Sequence, residues 1–456
     1  MNSSQFVLSV QKRIQLFNQQ LEDGKSAFVA SDMIAYKSAI ETTGRFLDQL
    51  CQSGFAELAL SLETTWYQCL VKKIESDEHY AACFQYHAQS LWSAGRRISP
   101  GRVLNGDSTC IAFIAQNSVL LGHTEVMLLM MKDWKLRYPK LRLLFVGLTP
   151  CHPDLLERLT LVGVEAITPK VNMQPLSLTK WLRSKLATEN AGTAIWLSLP
   201  IWVPFIFGYQ VAKRQIFWSL KFHAVHLGHE VVHIGMTKKR DGIVDIHGKP
   251  WLAYQPPLGV DINNRSAADR SSLRGIYNDK FLFATLAREE KFNSPRFAAA
   301  VALILKKCPG SLFLFTGRTI STILERALLE QGVAEQAMFV GWVDTDIYAS
   351  LADCFLETFP FGCGVTGMQA LSHGTPVISL WDKDTLPTFY FEDVKKAANF
   401  HQNWSVLSND FDYIDAAIDC FQRWHQGKNR TPMPRGTIAS LDGSKYEQFF
   451  KLVTES

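Results

Sequence analysis

The sequence predicts an α/β chain: two doubly wound, Rossmann-like domains preceded by an α-helical N-terminal segment. Three observations predict it. Residues 1–95 contain no proline, few glycines and apolar residues at helical spacing. From residue 110 onward, short apolar runs alternate with helical stretches. A polar, turn-rich stretch at 255–275 interrupts that alternation, which restarts at residue 280. Strands alternating with helices build an open, mostly parallel sheet, and two such runs build two. The expected divisions are a helical segment at 1–100, a first Rossmann-like domain at 101–265 and a second at 266–456.

In the helical segment Phe6, Val10, Ile14 and Phe17 mark one face, and four or five helices are expected. Gly24, Gly54 and the charged SDEH at 76–79 are the expected breaks. In the first α/β run, CIAFIA (110–115) is a strand and a helix follows from about His123 to Trp134. RLLFVGL (142–148) is a strand, and Pro153 opens the next helix. VEAIT (164–168), a helix near 177–188 and TAIWLSL (193–199) continue the pattern. The stretch at 255–275, QPPLGVDINNRSAADRSSLRG, reads as a linker or hinge. In the second run, KFLFATLA (280–287) is a strand, and Ser294 and Pro295 start a helix as N-cap and first residue. SLFLFTG (311–317) is a strand, and the helix at 320–332 closes on Gly332. AMFVGW (337–342), a short helix at 344–351, DCFLETF (353–359), a helix at 366–373 and PVISL (376–380) complete the domain. Such an architecture places ligands outside the C-terminal ends of the strands, in a cleft between the domains.

Composition narrows the class. The chain has 456 residues, 47% apolar and 20% charged, enough for sizeable cores and unlike a disordered chain. A net charge of +4 does not indicate nucleic-acid binding. Nine cysteines are scattered without a C-x-x-C pair, which fits reduced thiols in a cytoplasmic protein. The N-terminus lacks the continuous apolar run of a secretory signal. The most apolar run, 194–209, is broken by Pro200 and Pro204, so no membrane span is expected.

The segment from Asp353 to Leu380 carries the chemistry. A buried strand ends in Phe-Pro-Phe, and the Gly-rich turn Gly362-Cys363-Gly364 follows. A helix then opens at Val365 and Thr366. Its N-terminus offers free N–H groups and a partial positive charge to a phosphate. Glycine lets the backbone approach a ligand closely. Thr366 could add a hydroxyl donor, and Gln369, one turn on, could reach a sugar or ribose hydroxyl. A strand–turn–helix with no ligand explains the same residues equally well, because a Gly-rich turn alone is a weak signal. Arg288 and Lys291 follow a strand and could neutralise a departing diphosphate; the plain alternative is two solvated charges among Glu289 and Glu290.

Taken in order, these blocks resemble the donor-binding region of GT-B glycosyltransferases, above all the O-GlcNAc transferase-like family and its bacterial protein-glycosylating relatives. The residues that carry the resemblance run from Asp353 to Thr358 with Pro360, then Thr366-Gly367-Met368, then Leu371-Ser372-His373-Gly374-Thr375-Pro376-Val377. The stretch around Lys291, the block at 338–360 and the closing helix at 444–453 match in the same order, so the resemblance covers roughly 280–456. It implies a nucleotide-sugar as substrate, uridine diphosphate as the expected nucleotide, a protein acceptor, and no metal or cofactor. It implies a diphosphate-binding role for Lys291 and donor contacts from Arg288, Gly317, Trp342, Gly364, Val365, Thr366, Gly367 and Gln369. Two positions where retaining relatives carry glutamate are Phe361 and Gln369, which points to an inverting reaction. Where family members often have His-Thr-Thr, this chain has Gly364-Val365-Thr366, and Gln369 stands at an acidic position.

An inverting transfer benefits from a base at the acceptor. His123, at the start of the helix after the first strand, is the candidate, against a reading as a helix-capping or packed histidine. A second cluster carries His223, His226, His229 and His233. Its H-E-V-V-H matches a zinc-protease pattern superficially, but Gly228 before it and the valines within it favour a strand over the required helix. Lys221 and His223 are read as lining the cleft. The sequence therefore points to a glycosyltransferase acting on a protein side chain. The alternatives are a GT-B enzyme with a glycan or small-molecule acceptor, and a non-catalytic partner subunit of the same fold.

Overall fold

The protein is described as a computed structural model. It describes residues 3–30, 32–70, 77–101, 106–197, 202–219, 227–228, 230–235, 242–246, 249–254, 273–277, 279–360, 362–363, 365–382, 403–427 and 444–455. The chain divides into two compact units, Met1–Gln255 with Tyr446–Ser456, and Pro256–Lys445. The expected linker at 255–275 falls mostly outside the described residues.

In the first unit, four helices span Ser3–Val29 (α1), Met33–Gln52 (α2), Ala56–Cys69 (α3) and Asp77–Ile98 (α4). Asp32 caps α2 by accepting the Ala35 N–H at 3.0 Å. Gly54, after α2, has φ +87°, the left-handed conformation expected of a terminating glycine. Gly24 does not break the chain: it lies inside α1. A Cβ there would stand 2.9 Å from both Ala39 Cβ and Leu70 Cδ2, so its role is close packing.

The first sheet contains Asp107–Ala115 (β1), Arg142–Gly147 (β2), Glu165–Ile167 (β3), Ala191–Trp196 (β4), Arg214–Ser219 (β5), Val231–Gly235 (β6), Ile243–Ile246 (β7) and Lys249–Ala253 (β8). Its order is β3-β2-β1-β4-β5-β6-β8-β7. Pairing is parallel as far as β8, and β7 adds an antiparallel edge. Helices Gly122–Arg137 (α5), Pro153–Val162 (α6) and Pro175–Thr188 (α7) connect the strands. The apolar run at 194–209 divides into β4 and a short helix, Val203–Tyr209 (α8), with Pro204 in its first turn.

The helical segment is not a separate body, because α4 and α8 meet backbone to backbone. A Cβ on Gly95 would lie 2.1 Å from Phe205 O, and one on Gly208 would lie 2.0 Å from Trp92 O. Residues 446–455 also belong here rather than with the second domain, where the sequence reading put them. The reason is apolar. Phe449 packs 4.3 Å from Trp218, 4.6 Å from Tyr254 and 5.8 Å from Trp134, and Phe450 stacks on Tyr138 at 3.9 Å, ring centre to ring centre.

The second sheet holds Phe281–Thr285 (β9), Ser311–Thr316 (β10), Ala337–Gly341 (β11), Cys354–Leu356 (β12), Val377–Leu380 (β13) and Trp404–Leu407 (β14). Every described pairing is parallel, in the order β11-β10-β9-β12-β13-β14. Renumbered from its first strand this is 3-2-1-4-5-6, the Rossmann order. Helices Pro295–Lys307 (α9), Thr322–Glu330 (α10), Thr345–Leu351 (α11), Val365–Ser372 (α12) and Asp410–His425 (α13) flank it, and Ser444–Glu455 (α14) ends the chain. Local signals fall where expected. Ser294 accepts the Phe297 N–H at 3.2 Å, Pro295 opens α9, and Gly332 and Gly374 take φ +70° and +75°. Phe281, Phe283, Phe313, Phe315, Leu356 and Ile378 lead the core. Among the described residues, no helix is long and apolar enough to cross a membrane.

Candidate functional site

In the second sheet the strand order reverses between β9 and β12, and the crevice at such a point is where this architecture takes ligands. Threonines tie the strand ends there. Thr285 Oγ1 donates to Leu356 O at 2.7 Å, joining β9 to β12. Thr316 Oγ1 donates to Ala287 O and accepts the Ala287 N–H, both at 2.8 Å, joining β9 to β10. Asp353 sits at the other end of β12. Its carboxylate accepts the Leu282 N–H at 2.9 Å and pairs with Arg274 at 3.0 Å, so this residue of the resemblance aligns strands.

The Gly-rich turn folds back onto the end of β9. The Lys291 ammonium donates to the carbonyl of Gly362. Thr366 Oγ1 donates to Leu286 O at 2.7 Å, so its proton goes to the backbone. Glu357 Oε1 accepts the Cys363 N–H at 3.0 Å, and Thr358 Oγ1 contacts Cys363 Sγ at 3.3 Å. Burial raises the Cys363 thiol above its usual range, and the nearby Lys291 charge works against that rise. Helix α12 opens here at Val365, and the first N–H groups of a helix have no partner within it. Gly367 and Gln369 are buried in α12, and Gln369 Oε1 has no hydrogen-bond partner among the described residues.

Arg288 is half-buried on the same connection, and its carbonyl accepts the Lys291 N–H at 3.0 Å. Glu289 accepts the Arg318 N–H at 3.1 Å, so it is not merely a solvated charge. Gly317 takes φ +152°, where a Cβ would stand 3.0 Å from Thr319 O, and its N–H donates to Gly341 O at 3.2 Å. Trp342, just past β11, is 53% exposed, with the Arg318 guanidinium carbon 5.5 Å from its ring centre. Sequence reasoning named neither Glu357 nor Arg318. The signal for Glu357 was a carboxylate ending an apolar strand, where burial forces it to find a donor.

In the first unit, His123 occupies the first turn of α5. The turn is closed by Thr124, whose Oγ1 accepts the Leu121 N–H at 2.7 Å, so His123 is not the capping residue. His123 is half-buried and its Nε2 is buried. The H-E-V-V-H stretch leads into strand β6, which removes the helix that a zinc-protease motif requires. His233 accepts the Leu227 N–H at 2.8 Å through Nε2. Lys221, His223 and Gly364 lie outside the described residues, as do His226, His229 and Phe361. Among the described residues, no group of three or more His, Cys, Asp or Glu side chains could hold a metal ion.

No family model matches the chain, and no curated protein matches its sequence. Solved structures do match. An O-GlcNAc transferase mutant of Thermobaculum terrenum is 14% identical with a TM-score of 0.50, covering 96% of this chain and 94% of that one. The HepE protein of Anabaena, solved with UDP and glucose, is 15% identical with a TM-score of 0.48, over 75% of this chain and 96% of that one. MnaA of S. aureus, solved with UDP, is 14% identical with a TM-score of 0.44, over 76% and 98%. The first likeness runs through both units, and it gives the chain the two-domain α/β fold of a GT-B glycosyltransferase.

Proposed function

We propose that the protein is a glycosyltransferase that moves a sugar from a nucleoside diphosphate sugar, with uridine diphosphate as the expected nucleotide, to a protein side chain. One observation carries the reading: Lys291 meets Gly362, shortly before α12, at the reversal point of a Rossmann-ordered sheet. That arrangement combines a lysine cation with the N-terminus of a helix, which suits an anion carrying two phosphates. The fold shared with an O-GlcNAc transferase supports transfer of a sugar, and the sequence resemblance supports a protein acceptor.

In the proposed reaction the acceptor's nucleophilic atom attacks the anomeric carbon as the bond to the diphosphate oxygen breaks. Negative charge grows on the leaving diphosphate, where Lys291 and the N–H groups opening α12 would stabilise it. The same groups can take that charge without a metal. No carboxylate stands at 361 or 369, so α12 supplies binding groups and no catalytic carboxylate, which supports an inverting outcome. Gln369 offers its buried Oε1 to a ribose or sugar hydroxyl. His123 is the proposed acceptor-side base.

The test is a mass-spectrometric screen of the purified protein with a panel of nucleotide-sugars, each offered peptide and saccharide acceptors. The expected result is one hexose or N-acetylhexosamine added to a peptide, with turnover unchanged by a chelator. Product on saccharides alone would move the acceptor to a glycan. A well-folded sample that binds no nucleotide in calorimetry would make the chain a non-catalytic partner.

A further inference from the structure

We propose that Glu357 is a positioning residue for the diphosphate subsite and fixes the plane of the peptide between Gly362 and Cys363. The proposal rests on the reading of that turn as a diphosphate site. Two side chains hold opposite ends of this one peptide group. Lys291 donates to its carbonyl oxygen, Gly362 O, and Glu357 accepts from its N–H, that of Cys363, at 3.0 Å. A planar trans peptide directs its C=O and N–H to opposite sides. A cation on one side and a carboxylate on the other therefore oppose rotation of the plane.

Glu357 itself is held. It is 2% exposed at the end of a central strand. Its N–H donates to Ile378 O at 2.9 Å, and its carbonyl accepts the hydroxyl of Tyr413, fully buried, at 3.0 Å. A buried carboxylate is costly unless it accepts hydrogen bonds, and the Cys363 N–H supplies one. When a diphosphate draws the Lys291 ammonium from Gly362 O, the carboxylate remains as a side-chain grip on the peptide. Glycine at 362 makes this grip necessary, because an unconstrained glycine would let the plane turn. The useful property of Glu357 is thus its acceptor atom at the correct reach, not its charge.

Substitutions separate acceptor from charge. Glu357→Gln keeps an acceptor at the same reach and removes the charge. Glu357→Asp keeps the charge and draws the acceptor back by about 1.5 Å, one carbon–carbon bond. Calorimetry with uridine diphosphate and uridine monophosphate, alongside thermal melts, reads the difference. Glu357→Gln should hold diphosphate affinity within about threefold of wild type. Glu357→Asp and Glu357→Ala should lower it by about tenfold or more while monophosphate affinity changes less than about threefold. Unchanged diphosphate affinity in the Asp and Ala variants overturns the proposal, as does a loss in Gln with retention in Asp. An equal fall for both nucleotides also overturns it, because it signals general damage. If wild-type protein binds neither nucleotide, the site reading fails and this proposal fails with it. If wild type binds and the variants show no split, this proposal alone fails.

Discussion

Lys291 and Gly362, 71 residues apart in sequence, meet through an ammonium and a backbone carbonyl. The contact places a positive charge against the turn that opens α12. A backbone carbonyl is a weak partner for a cation compared with a phosphate, so the ammonium is free to exchange one for the other.

Lys291→Ala is therefore expected to abolish transfer and weaken nucleoside diphosphate binding on the order of ten- to a hundredfold, the range for a charge-assisted hydrogen bond. The fold should survive, since the removed contact is one hydrogen bond at a half-buried position. Calorimetry and a thermal melt check both halves. Wild-type turnover in the variant would remove the diphosphate role.

His123→Ala separates the two sides of the reaction. Thr124 closes the first turn of α5, so removing the imidazole should cost little stability, within about 1 kcal/mol. The expectation is turnover lowered by about a hundredfold, the scale of general-base catalysis, with donor affinity intact. Steady-state kinetics with a fixed donor and varied acceptor reads it. Unchanged turnover would leave His123 a packed residue.

The helical segment contains a charge cluster that the proposed reaction does not use. His87 lies between Asp48 and Glu63, at 2.8 Å from Asp48 Oδ1 and 3.0 Å from Glu63 Oε1, and all three side chains are buried. Trp66 contacts the imidazole with ring centres 5.0 Å apart, and Arg97 donates to the carbonyl of the neighbouring Cys51. Burial favours the neutral form of Glu63 and pushes it up to about 7. Burial alone would lower His87, but the Glu63 charge 3.0 Å away and the hydrogen bond to Asp48 outweigh it and raise His87 to about 9. Both folded-state values exceed those of the unfolded chain, so the folded state binds more protons. The His87 contribution is complete below pH 6.5 and lost as pH rises through about 9, and the Glu63 effect runs the same way from 4.5 through about 7. Thermal melts should show stability falling from pH 5 to pH 9, on the order of a few kcal/mol. His87→Gln alone should destabilise by about 3–5 kcal/mol, because Asp48 and Glu63 lose their buried partner. It should also push Glu63 higher still, so only the double variant with Glu63→Gln should flatten that slope. An identical slope in the double variant would dissociate the cluster from the pH response.

Much of the architecture is legible in sequence because its signals are local. Ser294 with Pro295, Gly332 and Gly374 each mark a helix end through backbone chemistry within a few residues. What a segment packs against is not local. The periodicity of α14 shows an apolar face, yet nothing in that pattern says that Phe449 meets Trp218 in the first unit. Gly24 looks like a helix breaker because the Cβ it lacks matters only to Ala39 and Leu70, distant in sequence. Strands β7 and β8 are too short for a clear alternation, and β14 with α13 follows a stretch with no strand signal. The candidate site divides the same way. Lys291, Thr366 and Gln369 stand out by residue type. The partners of the first two, Gly362 O and Leu286 O, are backbone atoms that no sequence pattern identifies.

Trp342 gives the last prediction. An indole left 53% exposed beside Gly341, at the end of β11, is an unusual use of a residue that proteins normally bury. Arg318, on the adjacent connection after β10, places its guanidinium 5.5 Å from the ring centre and restrains the ring by a cation–π contact. A restrained, exposed aromatic face suits a nucleobase, and stacking of a base on an aromatic side chain is worth about 1–3 kcal/mol. Trp342→Ala should therefore weaken uridine monophosphate and uridine diphosphate by the same factor, about five- to a hundredfold. Lys291→Ala, acting on the second phosphate, should weaken the diphosphate more than the monophosphate. Arg318→Ala should give a smaller loss, about 0.5–1 kcal/mol, since it removes the brace and leaves the face. Titrating both nucleotides against the three variants separates base contacts from phosphate contacts. Unchanged monophosphate affinity in Trp342→Ala would exclude this ring from base recognition and leave the phosphate half of the site to stand on Lys291 and the turn alone.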